Sequence, residues 1–347
     1  MTRVLFDVSH PAHVHLFRHT IQELENRGSE VAVTSREKDI TVDLLDAYGI
    51  DHTPISNKGR SKLALASEWL KREVRTVRTA VSFEPDVIVS RLNPSAAHAS
   101  MVARCPSIVF DDSEKARFAA RITHPFADVV CTPQEFNREL GEKQRRYDGF
   151  HELAYLHPDR FEPDSSPLQE YGIDTDEHYA VLRFVSWGAH HDVNQRGISR
   201  EGKHELVRTL SERGEVYITS EAELPPEFEA YRLPVPPELV HQLLYHANMY
   251  VGDSQTMATE AAVLGTPAVR SNSFVGSGDM SNFVRLEREY GLMQSTADEQ
   301  EALEIVEELL QTPGIQDTWE QRRQRLIDET IDVTEFILSL VEEVVSS

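Results

Sequence analysis

Two short stretches of the chain hold most of the residues whose types and spacing suit chemistry. The first is Gly252-Asp-Ser-Gln-Thr-Met-Ala-Thr-Glu260, which follows the apolar run "MYV" and leads into "AAVLGTP". A polar turn that leaves a strand and opens a helix presents unpaired backbone N–H groups with a positive partial charge. An anion, most often a phosphate, is its natural guest. Ser254 and Thr256 add hydroxyl donors, and Gly252 is read as letting a ligand approach the backbone closely. The helix is expected to start near Met257, with Ser254 or Thr256 as its cap, and to stop at Gly265-Thr-Pro267. Glu260 is the misfit, because helical spacing puts it beside Met257, Ala261 and Leu264 on the side that packs against a sheet. Its carboxylate needs a partner there, such as a ribose diol; otherwise it lies on a solvated edge.

The second stretch is Asp7-Val-Ser-His-Pro-Ala-His-Val-His15, with His19 one turn further on. Three readings are open. A metal centre would draw on Asp7, Asp111 and Asp112, but neither an HExxH-like pattern nor supporting Cys/His spacing is present, so no metal is assigned. A structural role would have the imidazoles cap and pack the helix. A catalytic or binding role falls best on His13, since an imidazole neutral near pH 7 can accept a hydroxyl proton. In Phe110-Asp-Asp-Ser-Glu-Lys-Ala116, Asp112 and Glu114 are candidates to orient an acceptor hydroxyl or take its proton. The alternative for both is a helix cap with acidic first-turn residues. Arg183, after the run "YAVL", suits a diphosphate by bidentate bonding, and His190-His191 follow it.

These residues need elements to hold them. The runs "RVLFDV", "EVAVTSR", "DVIVS", "SIVFDD" and "DVVCTP" are short and continuously apolar, as buried parallel strands are. Val14, Phe17, Ile21 and Leu24 mark an intervening helix that stops at Gly28, which makes a βαβ unit. The alternation pauses at 155–172, which holds three prolines and is the best linker candidate, and restarts with "YAVLRFV", "EVYITS", "MYVGDS" and "PAVRS". A chain of 347 residues exceeds one ordinary core, so two domains are expected, 1–160 and 161–347. A single packing helix through Leu326, Ile327, Ile331, Phe336, Ile337 and Leu340 closes the second, with a return onto the first domain as an option.

The net charge of −23 arises from 58 acidic against 35 basic residues, of which only seven are lysines. Such a surface resembles the salt-adapted, haloarchaeal type and acts as a solvated coat. No Lys/Arg stripe with interleaved aromatics appears, which excludes nucleic acid as a main partner. Cys105 and Cys131 lack CxxC spacing, and no window reaches about 18 consecutive apolar residues. A cytoplasmic location is expected, compatible with peripheral membrane contact.

The run Leu239–Gly291 resembles the donor-nucleotide half of GT-B glycosyltransferases. It is especially similar to the N-acetylglucosaminyltransferase that makes lipid II and to non-hydrolysing UDP-N-acetylglucosamine 2-epimerases. The whole chain resembles the domain-of-unknown-function 354 family (DUF354), whose patterns D-x-x-H-P-A-H-V-H and G-D-S-x-T-M-x-x-E-A occur here as Asp7–His15 and Gly252–Ala261. The resemblance implies an α/β, GT-B-like fold of two doubly wound Rossmann-like domains facing an interdomain cleft, with 1–160 on the acceptor side and 161–347 holding the donor. It implies Ser254, Gln255 and Thr256 on the diphosphate together with Arg183, Glu260 on the ribose, and Asp279 and Asn282 on the sugar. His13 or Glu114, with Asp112, would activate the acceptor. The implied partners are a nucleotide-diphosphate sugar and a glycan or lipid-linked acceptor. No cofactor is implied and, without a DxD motif, no metal. Pro11-Ala12 stands where the lipid II enzyme has glycines. An epimerase would use Asp112, Glu114 and His190 or His191, but its "H-R-x-E-N" run is not reproduced by "AHHDVNQRG". A non-catalytic nucleotide-sugar binder is the third class.

Overall fold

Strand runs this apolar are stable only when both sheet faces are covered, and the chain satisfies that demand twice. The computed structural model describes residues 1–57, 62–185, 198–220, 223–276 and 278–347, the side chains of 57 and 62–67 excepted. The chain divides into two units, residues 1–160 with 330–347, and residues 161–329.

The first unit is built on β1 (Arg3–Val8), β2 (Glu30–Glu37), β3 (Thr53–Asn57), β4 (Val87–Arg91), β5 (Ser107–Phe110), β6 (Val129–Pro133) and β7 (Gln144–Tyr147). They form one parallel sheet in the order β3-β2-β1-β4-β5-β6-β7. Val4, Leu5, Phe6, Val87, Val89, Ile108 and Val109 are sealed from solvent. The order reverses between β1 and β4, which opens a crevice at their carboxyl ends. Most crossovers carry a helix, among them Pro11–Asn26, Lys62–Phe83, Pro94–Ala103 and Arg117–Thr123; residues 134–143 join β6 to β7 without one.

The second unit holds β8 (Tyr179–Phe184), β9 (Glu215–Ser220), β10 (Met249–Gly252), β11 (Ala268–Ser271) and β12 (Met293–Thr296). These strands are parallel in the order β12-β11-β10-β8-β9, so the reversal falls between β8 and β10.

The C-terminal region differs from the single helix expected. It is two helices, Ile315–Glu329 and Val333–Ser346, because the Asp332 carboxylate accepts from the Thr334 and Glu335 amides and starts a new helix there. The second of these counts with the first unit. It buries Val333, Ile337, Leu338 and Val341, and Thr334 donates to the Ala154 carbonyl at 2.7 Å. The proline-rich segment 155–172 is not a loose tether, since Tyr155, Leu156, Phe161 and Leu168 are buried. Among the described residues, no helix is long and apolar enough to cross a membrane.

Candidate functional site

In the second unit the turn after β10 lies at the β8/β10 reversal. The helix begins at Gln255, two residues earlier than Met257, and Ser254 is its cap, accepting from the Met257 amide at 3.4 Å. Gln255 and Thr256 are half-buried in the first turn. The helix ends at Gly265, whose φ of +82° is left-handed backbone. A Cβ at Gly252 would lie 2.5 Å from the Arg183 carbonyl oxygen, so that glycine serves the close approach of β8 to β10 instead of access for a ligand. The neighbouring Asp253 accepts from the Val185 amide at 2.8 Å and ties the end of β8 to the turn. Burial raises its carboxyl above the usual carboxylate range. Arg183 donates to Thr219 at 2.8 Å. Lys203 is buried with its ammonium 5.0 Å from the centre of the Phe184 ring.

Glu260 finds a partner inside the chain. Its Oε1 lies 3.1 Å from His241 Nε2, with Glu260 3% and His241 2% exposed. The solvated-edge alternative is therefore excluded, and so is the need for a ribose to complete the carboxylate. Asp279 is also engaged, in an ion pair with the fully buried Arg270, whose guanidinium stacks 3.9 Å from the centre of the Phe283 ring. Asn282 differs: it is buried, and its side-chain oxygen has no hydrogen-bond partner among the described residues. His190 and His191 lie outside the described residues.

In the first unit the four histidines do not converge on a metal. His10 caps the Pro11–Asn26 helix by accepting from the Ala12 amide at 3.2 Å. His15 stacks on Tyr155 with centroids 5.2 Å apart, and His19 accepts from Arg18 at 3.1 Å. The aspartates proposed as co-ligands are engaged elsewhere. Asp7 accepts from Thr34 at 2.9 Å, from Arg72 at 2.6 Å and from Asn93. Asp111 accepts from the Ser113 amide and faces His124 Nε2 at 3.0 Å. One group of described residues does have metal-ligand spacing, His157, Asp159 and Asp332, but Asp332 is already paired with Arg160 at 2.7 Å.

His13 stands at the carboxyl end of β1, beside the reversal. Burial first, then the positive charges of Arg91, His10, Arg72 and His151, pull its pKa well below the ordinary histidine value, so the ring is neutral near pH 7. Its Nδ1 is 3.4 Å from the Ser9 amide and 3.5 Å from Ser9 Oγ. Accepting from the amide leaves a proton on Nε2; donating to the hydroxyl leaves Nε2 a base. Ser9 thus supports either tautomer.

Asp112 ends in an ion pair with Arg91 and lies 3.0 Å from His151 Nδ1. Burial works against its charge, but Arg91 and His151 prevail and hold the carboxyl well below the usual range. The charged Asp112 carboxylate therefore holds Arg91 and faces His151. Glu114 is buried, and its Oε1 receives the Asn137 amide at 3.5 Å. Neither caps a helix, because the next one starts at Arg117 behind Ala116 without a side-chain cap.

The profile described as "Protein of unknown function (DUF354)" matches residues 2–346. The chain belongs to the DUF354 family. An uncharacterized protein of Methanocaldococcus jannaschii is 22% identical over 279 residues, 77% of the DUF354 chain and 80% of that protein. Among solved structures, the Neisseria meningitidis UDP-GlcNAc 2-epimerase bound to UDP-GlcNAc superposes with a TM-score of 0.69 at 13% identity, covering 98% of this chain and 99% of that one. MurG of Acinetobacter baumannii gives a TM-score of 0.59 at 15% identity, covering 99% and 100%. The DUF354 fold is therefore GT-B-like α/β.

Sequence reasoning missed Arg91, Asn93, His151, Asp253 and His241 in this family member. The demand for a Glu260 partner was readable, but "VHQLLYH" reads as an ordinary helix face, and nothing local marks His241 as that partner.

Proposed function

We propose that the protein is a GT-B-type glycosyltransferase that takes its sugar from a nucleotide-diphosphate donor held by the second unit. The observation that carries the reading is the Ser254-capped helix N-terminus at the β8/β10 reversal, with Arg183 on the adjoining strand. A helix N-terminus alone contributes about 0.3–1 kcal/mol to anion binding, and about 2 when partly buried. Even millimolar affinity requires about 4 kcal/mol. Arg183 and Lys203 are the cationic groups placed to supply the rest and to offset charge on the departing diphosphate. Gln255 and Thr256 point the reading to the phosphates, and the orphan oxygen of Asn282 to a donor hydroxyl of the sugar.

In the first unit His13 acts as the base. With Nδ1–H given to Ser9 Oγ, Nε2 takes the acceptor's proton as its oxygen bonds to the anomeric carbon and the nucleoside diphosphate leaves. No step requires a metal. The acceptor class is a glycan or lipid-linked saccharide. UDP-, GDP- and dTDP-sugars, screened at high salt, should raise the melting midpoint for at least one base. Donor consumption should then depend on acceptor and persist in EDTA. A flat screen removes the reading, and deuterium entering sugar C2 from heavy water replaces transfer with epimerisation.

A further inference from the structure

A groove of about 680 Å³ in the first unit lies against the Arg117–Thr123 helix and the helix-free 134–143 crossover. Arg117, Arg121, Arg138 and Lys143 line it, with His124, and no carboxylate does, although acidic residues outnumber basic ones 58 to 35 in the chain. None of these four cations makes an ion pair among the described residues, whereas Arg3, Arg27, Arg36, Arg72 and Arg91 in the same unit all do. Lys143 is fixed by the His124 and Ala127 carbonyls at 2.7 and 3.1 Å, and His124 by Asp111 at 3.0 Å. Arg138 has a guanidinium nitrogen sealed from solvent with no hydrogen-bond partner among the described residues.

We propose that this groove is a second anion site, selective for a diphosphate group. One phosphate carries about −1.5 to −2 at pH 7, so four cations match two adjacent phosphates better than one. Planar guanidinium groups pair with phosphate oxygens bidentately, which chloride cannot reproduce. In a chain of net charge −23 the long-range field repels anions, so a local surplus of positive charge must come from a cluster such as this one. Leu140 contributes an apolar lining that suits a diphosphate joined to a hydrocarbon chain. The site does not depend on the donor reading, since every residue in it belongs to the first unit.

Site-resolved modification of arginines by phenylglyoxal, read by mass spectrometry on the full chain, tests it. Inorganic pyrophosphate should slow modification of the exposed Arg117 and Arg121 at least tenfold relative to potassium chloride of equal ionic strength, and leave exposed Arg78 unchanged. Arg121→Glu should abolish the protection of Arg117. Equal rates with and without pyrophosphate, or equal slowing at Arg78, overturn the proposal. Stronger protection by farnesyl diphosphate assigns the site to a lipid-linked diphosphate, and equal protection to a free one. Protection at Arg183 reports on the donor reading separately.

Discussion

At the strand ends of the first unit the polar side chains are bonded to one another: Asp7 to Arg72 and Asn93, Asp112 to Arg91 and His151. At those of the second unit the conspicuous groups are main-chain amides behind a serine cap, with half-buried Gln255 and Thr256 beside them. One edge is a preorganised charge network; the other sets the first-turn amides of a capped helix beside the buried Arg270–Asp279 pair. A network presents fixed charges with settled protonation, which suits the positioning of a reacting group. Open amides suit capture of an anion that arrives and leaves.

Four experiments can break or sharpen that contrast. The largest effect is expected from Asp112→Ala, which leaves the Arg91 guanidinium without its counter-charge and removes the group facing His151, and should cost about 3–5 kcal/mol in urea unfolding. A loss under 1 kcal/mol would mean that the network is not structural. His13→Ala should lower transfer by at least about 100-fold while nucleotide affinity stays within twofold; an unchanged rate would return His13 to packing. Glu260→Ala breaks the buried pair with His241 and should cost about 1–3 kcal/mol. Were it stable but unable to bind nucleotide, the carboxylate would belong to the nucleotide site as an acceptor.

The fourth test is a pH slope. Burial, then Arg18 and Arg160, lower His19 from 6.5 to about 4. The unfolded chain therefore takes up this proton near pH 6.5 and the folded one only near pH 4, so stability falls as pH drops through that window. Urea midpoints at pH 7, 5.5 and 4 should fall more steeply for the wild type than for His19→Gln; parallel curves would refute the assignment.

What the sequence made legible follows from range. β1, β2, β4, β5, β6 and β8 to β11 were readable because continuous β-branched runs report burial on both faces. β3 ("TPISN"), β7 ("QRRY") and β12 ("MQST") carry too few apolar residues to announce themselves and are placed by pairing at or near a sheet edge. The helix cap at Ser254 was readable because capping is local. The partners of Glu260, Asp112 and Asp279 were not, since His241, Arg91 and Arg270 come from other elements of the fold. For Glu260 the need for a partner was visible and its source was not.

The return of residues 330–347 to the first unit has a temporal meaning. The second unit, 161–329, is a continuous insertion within the first, and the Val333–Ser346 helix, which buries Val333, Ile337 and Leu338 and bonds through Thr334 to the Ala154 carbonyl, is a part of the first unit that the rest must wait for. As the chain leaves the ribosome, the second unit is complete while the first still lacks its last helix. The unit that is made first is thus the last to close, and a stall in the final eighteen residues exposes the older half of the protein.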